Sequence, residues 1–94
     1  MNHQEILAKL PIWAHEVRDV LEERIRQEVQ WGTQDHSPQD WMMILMEEVG
    51  EFARAEMETR EREADPANIR EELVQVAAVA LAMLECCYRN GWHK

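Results

Sequence analysis

Between Trp13 and Ile25 apolar residues recur at spacings of three and four (Trp13, Val17, Val20, Leu21, Ile25), while Arg18, Glu22, Glu23 and Arg26 fill the other face. Residues three and four apart share one side of an α-helix, so the pattern predicts an amphipathic helix. It is expected to open at Pro11, whose missing N–H costs nothing in a first turn, and to end near Gln30. A short helical piece from about His3 to Lys9 precedes it. After a loop at Trp31-Gly32-Thr33-Gln34-Asp35-His36, the run Ser37-Pro38-Gln39-Asp40 supplies an N-cap, a proline for the first turn and an acid three residues after the cap. A second long helix is expected from there to about Arg62, with Trp41, Ile44, Leu45, Phe52 and Ala55 on its apolar stripe. Asp65-Pro66 signals a third long helix, with Ile69, Leu73, Val76, Ala80, Met83 and Cys87 on one stripe and a left-handed stop at Asn90-Gly91. Strand-like alternation of β-branched residues is absent, so the expected fold class is all-α.

Ninety-four residues allow one domain, spanning 1–94, and a chain this short hides only about 60 to 65% of its unfolded surface. Two helices of about 25 residues are each about 37 Å long, more than one partner helix in so small a protomer covers. The expected architecture is an antiparallel helical bundle of three long helices plus a short N-terminal helix, completed by oligomerisation. The two cysteines, Cys86 and Cys87, are adjacent, a poor geometry for an intrachain bridge, and read as reduced thiols. The beginning MNHQEILAKLPIW has no export pattern, and no apolar run approaches the about 20 residues that span a bilayer, so no membrane association and a cytoplasmic location are expected.

The net charge of −9 points away from nucleic acid, whose phosphates need clustered Lys and Arg, and towards a cation. Its distribution is more telling than its size. Ten of the 19 acids lie between Glu47 and Glu72, against four arginines, so this stretch holds −6 of the total. Glu48 interrupts the apolar stripe of the second long helix at its centre, and Glu51 follows one turn on. Glu72 stands among Ile69, Leu73 and Val76 on the third, with Gln75 one turn beyond. Half-buried carboxylates at i and i+3 repel and lose hydration, at several kcal/mol per ion unless something compensates. A hard divalent cation does so, since magnesium takes oxygen ligands and keeps waters for substrate phosphates.

Glu47-Glu48-Val49-Gly50-Glu51 followed by Glu71-Glu72-Leu73-Val74-Gln75-Val76 resembles the signature of the MazG-like all-α nucleoside triphosphate pyrophosphatases, an ExxE, a spacer and an ExxD. Here Glu48-x-x-Glu51 and Glu72-x-x-Gln75 stand 20 residues apart, and the Trp31-Gly32-x-Gln34-x-His36 loop is similar to that of small phage-type members. The resemblance covers roughly Trp31 to Glu85. It implies a helical bundle assembled as a homodimer or homotetramer, and hydrolysis of a (deoxy)nucleoside triphosphate to the monophosphate and pyrophosphate with Mg²⁺, or Mn²⁺ in its place. Nucleotide-pool house-cleaning is the role that such an activity serves.

Carried over residue by residue, the resemblance makes Glu48, Glu51 and Glu72 metal ligands, with Gln75 at the fourth position and Glu47 as the residue that orients or deprotonates the attacking water. Gln75 is a departure, because the family has aspartate there and an amide offers only a neutral oxygen. Trp31, His36 and Trp41 are candidates to hold the base, and Arg70 to hold phosphate. The feature that Gln75 introduces favours an alternative: a catalytically lapsed acidic dimerisation or regulatory module that keeps the fold. A DNA mimic is a weaker third reading, because a mimic needs its acids on an outer face, whereas Glu48 and Glu72 fall on apolar stripes. Gly50 inside the second long helix suggests close approach of a facing helix beside the ion.

Overall fold

The computed structural model describes residues 1–9 and 13–94. It is all-α: α1 (His3–Ala8), α2 (Ala14–Trp31), α3 (Pro38–Arg62) and α4 (Ala67–Asn90), with no strand among the described residues. The expected opening of α2 at Pro11 lies outside the described residues. Several helix ends follow from local chemistry. Asn2 caps α1 by accepting the Glu5 N–H at 2.8 Å. Ser37 caps α3 by accepting the Asp40 N–H at 3.1 Å, with Pro38 in the first turn, as its sequence signal requires. Asp65 accepts the Ala67 N–H at 3.0 Å, and α4 stops at Gly91, which takes the left-handed conformation (φ 74°).

Helices α3 and α4 form an antiparallel hairpin, and α2 packs against α4. The core of the hairpin is Trp41 with Val79, Ala82 and Cys86, flanked by Ile44, Leu45 and Met83. Pairings run in opposite directions along the two helices: Trp41 near the start of α3 meets residues late in α4, while Glu51 further on meets Glu72. The α3 stripe is as expected, with Trp41 and Ala55 buried and Ile44, Leu45, Glu48 and Phe52 half-buried. No helix of the described residues is long and apolar enough to cross a membrane.

The expected stripes of the other two helices need correction. On α4 the buried residues are Ala78, Val79, Ala82 and Cys86, whereas Leu73 and Ala80 of the expected stripe are exposed. On α2 the only buried residue is Gln27, while Trp13, Val17, Leu21 and Ile25 are exposed and Val20 half-buried. The reason is geometric. Both α3 and α4 are apolar on more than one side, and among the described residues α4 is the one helix packed extensively against α3. Gly50 likewise has nothing within 4 Å of where a Cβ would stand, so no facing helix among the described residues approaches it.

Candidate functional site

Three carboxylates converge where α3 and α4 face one another. Glu48 and Glu51, one turn apart, share a side of α3, and the antiparallel pairing brings Glu72 of α4 opposite them. One carboxylate oxygen of each lies within 4.8 Å of the others. Glu48 and Glu72 are half-buried, Glu51 exposed. The Oε2 atoms of Glu48 and Glu72 are both buried without a hydrogen-bond partner, an arrangement that costs about 1 to 3 kcal/mol per neutral group and more for a charged one. Burial pushes the Glu48 carboxyl above its ordinary range, reinforced by the charges of Glu51 and Glu72. Burial, then the charge of Glu51, does the same to Glu72. An oxygen-only donor set with two orphaned buried oxygens fits a hard divalent cation, which would supply both the missing partner and the missing charge.

A cavity of about 300 Å³ adjoins this cluster, and Glu48 belongs to both. Its walls include Trp31 and Gly32 at the end of α2, His36 in the loop, Trp41 and Ile44 of α3, and Val79 and Ala82 of α4. Gln34 of the loop and Arg24 and Gln27 of α2 complete the lining. Such a space, mostly apolar with a few polar groups, is the usual form of a small-molecule site. Trp41 is 2% exposed and meets the His36 ring edge-on, with centroids 4.8 Å apart. It is therefore a wall of the cavity and part of the core, with no exposed face for stacking. Trp31, by contrast, is more than half exposed.

The loop between α2 and α3 is bolted to the end of α4. Gly32 turns the chain with φ 72°, a conformation that glycine adopts without a Cβ clash. Arg89 donates to the Asp35 carboxylate at 3.0 and 3.1 Å and to the Gln34 carbonyl at 2.9 Å, and Asn90 donates to Asp35 at 3.2 Å. The buried Cys86 thiol adds weak contacts to Asp35 at 3.5 Å and to the His36 carbonyl at 3.8 Å. Hydrogen bonds from Arg89, then Asn90, hold the Asp35 carboxyl below its ordinary range. The clamp holds the chain from Gln34 to the His36 carbonyl, and the His36 ring lines the cavity.

The residues singled out from sequence are thus divided. Glu48, Glu51 and Glu72 come together, and Trp31, His36 and Trp41 line the adjacent cavity. Glu47 is exposed, and its charge contributes to the field that acts on Glu48. Gln75 borders a separate groove between α2 and α4 with Glu23, Arg26 and Arg70. Arg70 is turned away from the cavity, paired with Asp19 at 3.1 Å. Arg54 and Arg60 on α3 also pair with acids, Arg54 with Glu58 at 4.0 Å and Arg60 with Glu56 at 3.4 Å.

Sequence reading did not single out Arg24 and Gln27. The Arg24 side chain is only 12% exposed and donates to Glu85 at 2.8 and 3.1 Å and to Glu28 at 3.0 Å. It bridges α2 to α4 along the cavity wall. Gln27 is buried and donates to Glu23 at 3.3 Å. Both stand outside the apolar stripe of α2, and a long polar side chain on a helix is ordinarily solvated, so only their positions opposite α4 reveal them. No family model, curated protein or solved structure matches this chain.

Proposed function

We propose that the protein is a Mg²⁺-dependent nucleoside triphosphate pyrophosphohydrolase. The observation that carries this reading is the shared residue: Glu48 is both a member of the three-carboxylate cluster and a wall of the aromatic-lined cavity. Metal-held phosphates and a base in the cavity would then be neighbours. The base would rest against Trp31 and His36, whose rings border the space. Glu48, Glu51 and Glu72 would hold the ion, and Gln75, one turn beyond Glu72, would contribute at most a neutral oxygen or a hydrogen bond to a metal-held water.

Mg²⁺ held by Glu48, Glu51 and Glu72 would supply charge neutralisation on the phosphoryl oxygens and a more acidic water for attack at the α-phosphorus. The chain's own contribution is placement. The α3 spacing sets two carboxylates on one face, the hairpin presents the third, and Glu47 is exposed beside them, suited to accept a proton from the attacking water. An acidic protein binds a triphosphate only when the metal inverts the local field, so nucleotide binding in EDTA should be very weak.

The rival reading, a lapsed module that retains the fold, is favoured by Gln75 in place of an acid. Pyrophosphate release from a panel of standard and modified nucleotides with Mg²⁺ or Mn²⁺ separates the two. Metal-dependent release that Glu48→Gln abolishes is the expected result. No release at micromolar protein with any nucleotide, together with no metal-dependent rise in melting temperature, would sink the enzyme reading. Release seen only with Gln75→Asp would identify a lapsed site.

A further inference from the structure

Arg24 and Gln27 stand one turn apart on the cavity wall, and each has hydrogen-bonding capacity that the chain does not use. Gln27 is 9% exposed. Its amide nitrogen donates to the Glu23 carboxylate at 3.3 Å. A carboxylate only accepts, so this bond settles which way the amide faces and turns its carbonyl oxygen away from Glu23. Among the described residues no donor meets that oxygen, and a buried acceptor is costly unless a ligand or water supplies the donor. Arg24 is held with equal definition. Glu85 takes its Nε and Nη2 hydrogens side by side, at 3.1 and 2.8 Å, which fixes the plane of the guanidinium, and Glu28 accepts from Nη2 at 3.0 Å. Nη1 lies outside all three bonds.

We infer that Arg24 and Gln27 read the edge of the base, and that the protein prefers nucleotides whose base carries a ring N–H beside a carbonyl: uracil, thymine, hypoxanthine and guanine. The inference rests on the proposed activity in one respect, that a nucleotide base occupies the cavity. Charge decides which part of a nucleotide comes to this wall. The Arg24 guanidinium already faces two carboxylates, Glu85 and Glu28, whose charges repel a phosphate. What Nη1 offers is therefore a donor to a neutral oxygen. Gln27 offers the complementary acceptor, and the pair matches a carbonyl and the N–H next to it.

Cytosine and adenine have the same two positions reversed, an amino group in place of the carbonyl and a bare nitrogen in place of the N–H. With the phosphates tethered at the carboxylate cluster, the ring keeps its register against α2. The amino group would then meet Nη1, donor to donor, and the bare nitrogen would meet the Gln27 carbonyl, acceptor to acceptor. Sites that bond a substrate's polar groups reject analogues that leave those groups unpaired, far more strongly than apolar pockets reject a change of shape. Trp31 borders the cavity too, but an aromatic ring stacks on any base and makes no such choice.

Two measurements on the whole chain test the inference. The first is kcat/KM for pyrophosphate release with Mg²⁺ from dUTP, dTTP, dITP and dGTP against dCTP and dATP, for wild type and for Gln27→Leu, which keeps a side chain of similar bulk and loses the carbonyl. Wild type is expected to favour the first four by about tenfold or more, and Gln27→Leu to bring the ratio within about threefold. A purely structural Gln27 would lower every nucleotide alike and leave the ratio where it was. The second uses wild type alone, in case the variant does not fold: calorimetric titration, with Mg²⁺, of a non-hydrolysable dUTP analogue and of its N3-methyl derivative. Methylation removes the N–H that Gln27 accepts and should weaken binding about tenfold or more. Equal turnover of all six nucleotides, an unmoved ratio in folded Gln27→Leu, or equal binding of the methylated analogue would each overturn the inference and leave the hydrolase standing. Selective binding without turnover would uphold it and overturn the hydrolase, and neither binding nor turnover would overturn both.

Discussion

Glu48 on α3 and Glu72 on α4 each bury one carboxylate oxygen with no donor facing it, and the two sit in one cluster with Glu51. Like charges gathered and desolvated in this way oppose folding of the metal-free protein. Glu72→Gln removes one of them and is expected to raise the metal-free stability by about 1 kcal/mol, or roughly 4 to 8 °C in melting temperature for a domain of this size. Thermal unfolding in EDTA checks it, and a fall in melting temperature would mean that the cluster is not under repulsive strain.

Binding of Mg²⁺ to the folded cluster alone should stabilise the protein by mass action, about 2.7 kcal/mol at a hundred times the dissociation constant. Melting temperature is therefore expected to climb with Mg²⁺ concentration and return on chelation. In Glu48→Gln and Glu72→Gln the dependence should vanish. A dependence that survives both changes would place the ion elsewhere.

Trp31 and Trp41 border the same cavity with opposite exposures, which separates binding from folding. Trp31→Ala should change stability by less than about 0.5 kcal/mol. Loss of a stacking surface should nonetheless weaken nucleotide binding about tenfold. Trp41→Ala opens the core and is expected to cost about 3 to 5 kcal/mol. Denaturant unfolding and nucleotide titration in the presence of Mg²⁺ measure the two effects independently.

The clamp from Arg89 to Asp35 has a pH signature. Because the folded carboxyl is held below its ordinary value, the stability that it contributes is present above the unfolded pKa, about 3.9. It is lost as the pH falls through the lower folded value, where the native carboxylate at last takes up a proton. Asp35→Asn should therefore lower stability at neutral pH and flatten the acid limb of the profile below about pH 4. An unaltered acid limb would remove Asp35 from the account.

Helix α3 ends on Glu63 in the left-handed conformation, φ 55°, where a side chain costs about 1 kcal/mol relative to glycine. Glu63→Gly is expected to stabilise the protein by about 0.5 to 1 kcal/mol without altering nucleotide turnover. Chemical denaturation compared with the activity assay tests both halves.

Helix starts were legible because they rest on local chemistry. Ser37-Pro38 and Asp65-Pro66 act through backbone groups within a turn of themselves, so no distant residue can alter their meaning. The carboxylate cluster was legible for a related reason, since a glutamate within an apolar stripe is anomalous whatever covers the stripe. The stripe of α4 was misjudged because periodicity reports that a helix has apolar faces, not which neighbour meets each one. Leu73 and Ala80 belong to the face left outside the protomer, and Ala78 and Cys86 to the face within it. Arg24 and Gln27 were missed because their role depends on Glu85 and Glu23, to which only the folded chain introduces them.

The cavity borrows one wall from α2, a helix that packs against α4 and is bridged to it by Arg24 and Glu85. Were α2 unseated, the core of the hairpin would keep its own contacts but the pocket would lose a wall. Ligand affinity then measures a docking equilibrium as well as a fit: the apparent constant is the intrinsic one divided by the fraction of time α2 is seated. Changes along the α2–α4 seam, out of reach of any ligand atom, should tune affinity through that fraction alone, and amides of α2 should exchange with solvent sooner than those of α3 and α4.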